Sequence, residues 1–211
     1  MAINGQNNRG MTFPPEVLTL EEVITLLDAC SPTSSTGIRN RALLAVYWRV
    51  GLRCTEALRL FEKDLNLPEN SMRVLKGKGK KFRTVGIDET AVKLLQIWIE
   101  RRASLGFSWR HRLFCTVKAA KGRPLDPSYV RHLMPRLAAL AGISKRVHVH
   151  GLRHTMTAEL VMEGADIALI RDQLGHSNIA TTDKYIRKLA PRRLVEEMRA
   201  RTWRETPKGL E

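Results

Sequence analysis

The sequence leaves its helical hydrophobic period for one internal stretch and then returns to it, and that stretch limits the folds open to it. Before residue 51 and after residue 88, apolar residues recur mainly at helical spacing. Between them, MRVLK (Met72 to Lys76) and FRTVGI (Phe82 to Ile87) alternate apolar with polar, which is the period of a half-buried strand. The linking GKGK (Gly77 to Lys80) predicts a hairpin tip. Residues Leu65 to Leu67 can add a preceding strand. The expected class is therefore α+β, mainly α-helical with one small antiparallel β-sheet.

The helical segments carry their own punctuation. Thr19 and Glu22 form a capping box for a helix over Leu18 to Cys30, with Leu20, Val23, Leu26 and Leu27 on one stripe. SPTSSTG (Ser31 to Gly37) predicts a loop, and Ile38 to Val50 a well-buried second helix, broken at Gly51 and followed by a short one from Thr55 to Leu60. Asp88 caps a helix to about Ser104. HRLFCTV (His111 to Val117) is a short strand or a buried connector, 118–127 is loop, and Ser128 to Ala141 is helix. From His150 the chain is mostly helical again, with a C-cap at Gly164, a helix from Asp166 to Leu174, a short helix carrying Tyr185, and a last helix from near Pro191 to near Trp203. No internal repeat is present. Residues 1–15 read as a disordered lead-in or linker, and 16–211 as one domain.

Charge narrows the partners. Lys and Arg number 36 against 21 Asp and Glu, a formal net charge of +15, which predicts attraction to a polyanion, nucleic acid first. No apolar run approaches the ~18–20 residues of a membrane span, and the polar MAINGQNNRG start is no secretory signal. Cys30, Cys54 and Cys115 are scattered without a CxxC pair, which argues for a reducing compartment, against a disulfide framework or zinc ribbon, and for three small buried apolar residues.

Four segments can carry chemistry. The hairpin holds Arg73, Lys76, Lys78, Lys80, Lys81 and Arg83 with no acid among residues 71–83. A basic ribbon can follow a DNA backbone or enter a groove, although lysines also blunt exposed strand edges. Its GKG lacks P-loop spacing. In HGLRH, His150 and Arg153 share one helical face, pairing a planar fork suited to phosphate with a group that titrates near neutral pH. His150 and His154 have zinc spacing, but glycine stands at 151 where HExxH needs glutamate, so no metal is expected. In GLRCTEALRL (Gly51 to Leu60), Glu56 can hold Arg53 in place, or the two can be a weak surface pair. Last, LGHSNIATTDKYIRKL (Leu174 to Leu189) places His176 and Tyr185 in a polar stretch, with Lys184 and Arg187 beside the tyrosine. Nearby cations favour a phenolate nucleophile, yet alone this could be a half-buried surface tyrosine.

Taken in order, GLRCTEALRL, GKGKKFR, HGLRH and LGHSNIATTDKY resemble the catalytic domain of the tyrosine recombinases, also called the phage integrase family. The resemblance implies that fold and a metal-free, cofactor-free DNA strand cleavage and rejoining through a 3′-phosphotyrosine. It implies Arg53 and Arg153 as the two phosphate-holding arginines, Lys78 as general acid toward the leaving 5′ oxygen, His150 as acceptor of the tyrosine proton, His176 as a phosphate donor, Tyr185 as nucleophile and Glu56 as support for the arginine. Arg73, Lys76, Lys80, Lys81 and Arg83 would contact DNA.

The implied partner is double-stranded DNA, with self-association on it through the C-terminal helix by Leu194, Val195 and Met198, and the implied location is a prokaryotic cytoplasm, associated with the nucleoid. Family members usually carry an N-terminal core-binding domain of on the order of a hundred residues. About 15 residues precede the matching part here, so that domain is read as absent and DNA binding as weak and salt-sensitive. A non-catalytic DNA-binding accessory module and a type IB topoisomerase-like relaxing enzyme are the alternatives.

Overall fold

The computed structural model describes residues 17–75, 82–118, 121–175 and 198–199. Within them the chain runs α1 (Leu20–Asp28), α2 (Ser35–Trp48), α3 (Cys54–Leu58), a 3-10 turn (Glu62–Asp64), β1 (Leu65–Asn66), β2 (Ser71–Leu75), β3 (Phe82–Gly86), α4 (Glu89–Ser104), α5 (Pro127–Leu140), α6 (Val149–Met162) and α7 (Ile167–Leu174). The fold is α+β, mainly helical with one antiparallel sheet in the order β1-β2-β3.

Helix α2 is the central pillar. Residues on nearly every side of it are buried, with Leu43, Leu44 and Tyr47 almost or wholly without exposure, as expected of a helix packed all round. It packs against α4 and α6, and α7 leans on both α6 and β3. It starts earlier than the expected loop allows: the Ser34 hydroxyl accepts the Gly37 N–H at 3.1 Å and supplies the missing cap. The capping box at Thr19 and the Asp88 cap of α4 are both present.

Residue parity decides what the sheet does. Met72, Val74 and Val85 are buried, and the β2–β3 register pairs Met72 with Val85 and Val74 with Arg83. Cross-strand partners share a face, so Arg83 points inward, while Arg73 and Phe82 lie on the outer face. Arg83, expected among the DNA-contacting residues, thus has its side chain turned inward and 7% exposed. The 111–117 segment is a buried connector that touches strand geometry only in a single bridge from Cys115 to Pro124. All three cysteines are free. Cys30 and Cys115 are buried as expected, whereas Cys54 is only half-buried and receives the Tyr47 hydroxyl at 3.8 Å.

Candidate active site

Three segments far apart in sequence converge at the C-terminal end of α7. The first is the turn between α2 and α3. Gly51 sits there at φ 71°, and a Cβ on it would lie 2.5 Å from the Met156 sulfur and 2.9 Å from a Leu174 methyl. Only glycine fits both the left-handed backbone and that contact. Two residues later, Arg53 emerges with its side chain 38% exposed. Its Nη1 donates to Glu56 Oε1 at 2.9 Å, its backbone N–H to Glu56 Oε2 at 2.9 Å, and its Nη2 to the Gly175 carbonyl at 3.3 Å.

Glu56 is held from the other side by Arg83, whose Nη1 and Nη2 donate to the two carboxylate oxygens at 2.9 and 3.1 Å. Each oxygen thus accepts two hydrogen bonds, which fills the lone-pair capacity of a carboxylate. Burial pushes the Glu56 carboxyl up, but the Arg83 hydrogen bonds, the Arg53 amide and the two guanidinium charges outweigh it and hold the group below its ordinary value. No signal in the sequence pointed to this pairing of Arg83 with Glu56. Arg83 lines the cleft beside Arg53 and braces the carboxylate that braces Arg53.

The second segment is α6. Arg153 is 3% exposed. It donates through Nη1 to the Gly51 carbonyl and through Nη2 to the Leu174 carbonyl at 2.6 Å. Burial, followed by repulsion from Arg53 and Arg83 that Glu56 partly offsets, pushes its pKa down to about 10. It therefore remains a cation at neutral pH. His150 lies in the first turn of the same helix, exposed at the mouth of the site. Partial desolvation first, then the charges of Arg153, His148 and Arg53, hold its pKa below the ordinary 6.5. At neutral pH the imidazole is uncharged and can accept a proton.

The third segment is the end of α7 itself, where Gly175 caps the helix at φ 62° in the left-handed region. A Cβ there would lie 2.7 Å from the Arg83 guanidinium carbon. The last carbonyls of a helix are its electronegative pole. Here Leu174 and Gly175 offer theirs to the two arginines, so two like charges are fixed side by side.

A model of the phage integrase family matches residues 16–192. The chain belongs to the phage integrase family. Among its relatives, tyrosine recombinase XerD of Staphylococcus epidermidis is 34% identical over 173 residues, which cover 81% of this chain and 57% of the relative. Tyrosine recombinase XerC of Syntrophus aciditrophicus is 30% identical over 177 residues, 82% of this chain and 56% of the relative. This family member thus spans little more than half the length of the curated relatives it matches. The crystal structure of XerA recombinase superposes with a TM-score of 0.76 at 30% identity, covering 92% of this chain and 69% of that one. XerH site-specific recombinase bound to palindromic difH substrate, a post-cleavage complex, superposes with a TM-score of 0.71 at 28% identity, covering 88% and 53%. The fold is that of the tyrosine recombinase catalytic domain.

In this family member, the described residues bring together Arg53, Glu56, His150 and Arg153. Lys76, Lys78, Lys80, Lys81, His176 and Tyr185 lie outside the described residues, as do the hairpin tip and, apart from Met198 and Arg199, the last helix. Arg73 is exposed, with its guanidinium 5.8 Å from the centre of the Phe82 ring. A cleft of about 860 Å³ opens beside Arg53, lined by Glu56, Phe61, Arg73, Phe82 and Arg112 among others. Its mixture of guanidinium groups and half-exposed rings suits a polyanion that also carries flat apolar faces. His154 lies one turn beyond His150, with ring centroids 6.4 Å apart. Among the described residues, no three His, Cys, Asp or Glu side chains are grouped so as to hold a metal ion, and no helix is long and apolar enough to cross a membrane.

Proposed function

We propose that this chain is the catalytic part of a site-specific DNA recombinase that cuts and rejoins double-stranded DNA through a covalent 3′-phosphotyrosine. The observation that carries the reading is the pair of anchored guanidinium groups, Arg53 and Arg153, beside a neutral His150. Phosphoryl transfer without an activating metal needs fixed cations on the non-bridging oxygens as charge builds in the pentacoordinate transition state. These two arginines meet that need without moving, because carbonyls and a carboxylate already hold them.

In the proposed step the Tyr185 oxygen attacks the scissile phosphorus and its proton passes to His150. The bond from phosphorus to the 5′ oxygen breaks, and Lys78 delivers a proton to that leaving oxygen. His176 donates to the phosphate. Rejoining reverses the sequence, with a 5′ hydroxyl attacking the phosphotyrosine, so no ATP and no cofactor enter. Arg73, Lys76, Lys80 and Lys81 follow the DNA backbone from the hairpin. Assembly on DNA uses the last helix through Leu194, Val195 and Met198, and the setting is the bacterial cytoplasm, at the nucleoid.

The test is a library of nicked suicide duplexes incubated with the protein, followed by denaturing electrophoresis. A covalent adduct with the wild type and none with Tyr185→Phe supports the reading. No adduct from any duplex, or an undiminished one in the variant, rejects it.

A further inference from the structure

We propose that Gln173 is a positioning residue: its side-chain amide, rather than its bulk, locks α7, β3 and the α2–α3 turn in the register that the two arginines need. The proposal rests on the strand-transfer reading above. Gln173 lies in the last turn of α7, half-buried, two residues before Gly175. Its Oε1 accepts the Gly86 N–H at 2.8 Å, and its Nε2 donates to the Gly86 carbonyl at 2.9 Å and to the Val50 carbonyl at 3.2 Å. The orientation of the amide is fixed by this pattern, since the reverse would face oxygen with oxygen.

Each of the three partners leads to the site. Gly86 closes β3, the edge of the sheet on the α7 side, and edge strands present unpaired N–H and C=O groups. Gln173 satisfies both groups of one residue, as a further strand would. The same strand carries Arg83, which braces Glu56. Val50 precedes Gly51, whose carbonyl receives Arg153, and stands three residues before Arg53. On its own element, Gln173 immediately precedes Leu174 and Gly175, whose carbonyls receive Arg153 and Arg53. One amide thus fixes the distances between the donors and acceptors that hold both cations. Leucine would fill similar space with none of the three bonds. A glutamate could keep at most two of them, and only when protonated: its carbonyl oxygen can accept the Gly86 N–H while its single O–H donates to one carbonyl, and the ionised form has no donor at all.

That difference supplies the test. The ionisable groups sharing the pocket beside Gln173 are Arg49, Asp88, Glu159, Glu163 and Asp172, and Arg49 is already paired with Asp88 and Glu159. A glutamate at 173 therefore faces carbonyls and acids, which raise its pKa, against the Arg153, Arg53 and Arg83 guanidinium groups around Leu174 and Gly175, which lower it. Single-turnover adduct formation is measured at saturating suicide duplex across pH for the wild type, Gln173→Leu and Gln173→Glu.

Misplacing reacting groups by about an ångström costs on the order of 100-fold. Gln173→Leu is expected to be slower by about 10- to 100-fold at every pH, with DNA affinity within about twofold of the wild type. Gln173→Glu is expected to match leucine at high pH and to recover part of the wild-type rate as pH falls, so that the ratio to wild type rises with acid. A wild-type rate in Gln173→Leu, or a pH-independent ratio in Gln173→Glu, overturns the proposal. Amide hydrogen exchange at Gly86 gives a readout independent of catalysis: it must quicken in Gln173→Leu. If the wild type forms no adduct, the strand-transfer reading falls, and the exchange of Gly86 alone decides whether the clasp exists.

Discussion

The two arginines of the site are held by opposite means. Arg153 is buried and tied to two backbone carbonyls, with no carboxylate of the described residues in contact. Arg53 is partly open to solvent and tied to a carboxylate that a second, buried arginine holds in place. The first arrangement fixes a cation by shape and leaves its charge largely unneutralised. The second spends part of the charge on Glu56 and gains a lever: the position of Arg53 depends on Arg83, and so on the sheet. Rigidity and adjustability are thus divided between the two halves of one cationic site.

The largest expected effect comes from Arg153→Lys. A lysine cannot reproduce the fork, and losing one preorganised donor to a developing oxyanion costs about 100- to 1,000-fold in rate. Loss of the carbonyl tethers should lower thermal stability as well. Arg53→Lys should also slow cleavage, yet leave stability nearly unchanged, because Glu56 remains paired with Arg83. Equal stability losses in the two variants, measured by thermal melting, would erase the distinction drawn here.

Next in size, Glu56→Ala strands a buried Arg83 whose side chain is only 7% exposed. Breaking such a pair costs about 3–5 kcal/mol. Replacing both partners, as Glu56→Leu with Arg83→Met, should restore most of that stability in denaturant titration while cleavage stays slow, because Arg53 has lost its brace. Recovery of rate along with stability would show that the brace is not needed.

The pH dependence separates the halves further. The folded-state pKa of Glu56 is lowered, so it contributes stability above the ordinary carboxyl value and loses it as pH falls through the folded one. Glu56→Gln should therefore show a shallower acid-side loss of stability than the wild type. His150 is also lowered. In the proposed step its neutral form accepts the tyrosine proton, so the cleavage rate should rise with pH through a midpoint below the ordinary 6.5 for histidine. A midpoint above that value would remove His150 as the acceptor. The smallest effect belongs to the outer face of the sheet: Arg73→Ala should leave stability within about 0.5 kcal/mol and reduce the salt slope of DNA binding by about one.

Much of this was legible in the sequence because local signals and the fold agreed. The Thr19 capping box, the Asp88 cap and the alternation of residues 72–76 and 82–87 each named an element that is present. The pairing of Arg53 with Glu56 followed from their spacing. Arg83 did not follow, because six basic residues in one short stretch drew attention to charge over parity. Residues 83, 85 and 87 share a strand face with two apolar members, and that count would have turned Arg83 inward. The contribution of Gln173 and of the Gly51, Leu174 and Gly175 carbonyls had no such signal. Backbone acceptors carry no residue type, and a glutamine at the end of a helix is ordinary until the strand it meets is known.

The meeting point at the end of α7 also bears on when the site comes into being. The Arg53 contact with Gly175 spans 122 residues of chain, that of Gln173 with Val50 spans 123, and that of Arg153 with Gly51 spans 102. Contacts of such separation close late, after the loops between them have been ordered. During synthesis, which runs from the N-terminus, the helical pillar and the sheet can assemble while α7 is still unmade, and neither arginine then has its full set of anchors. The nascent protein would pass through most of its folding with its two anchored cations unaligned and gain their alignment only as the last described helix docks.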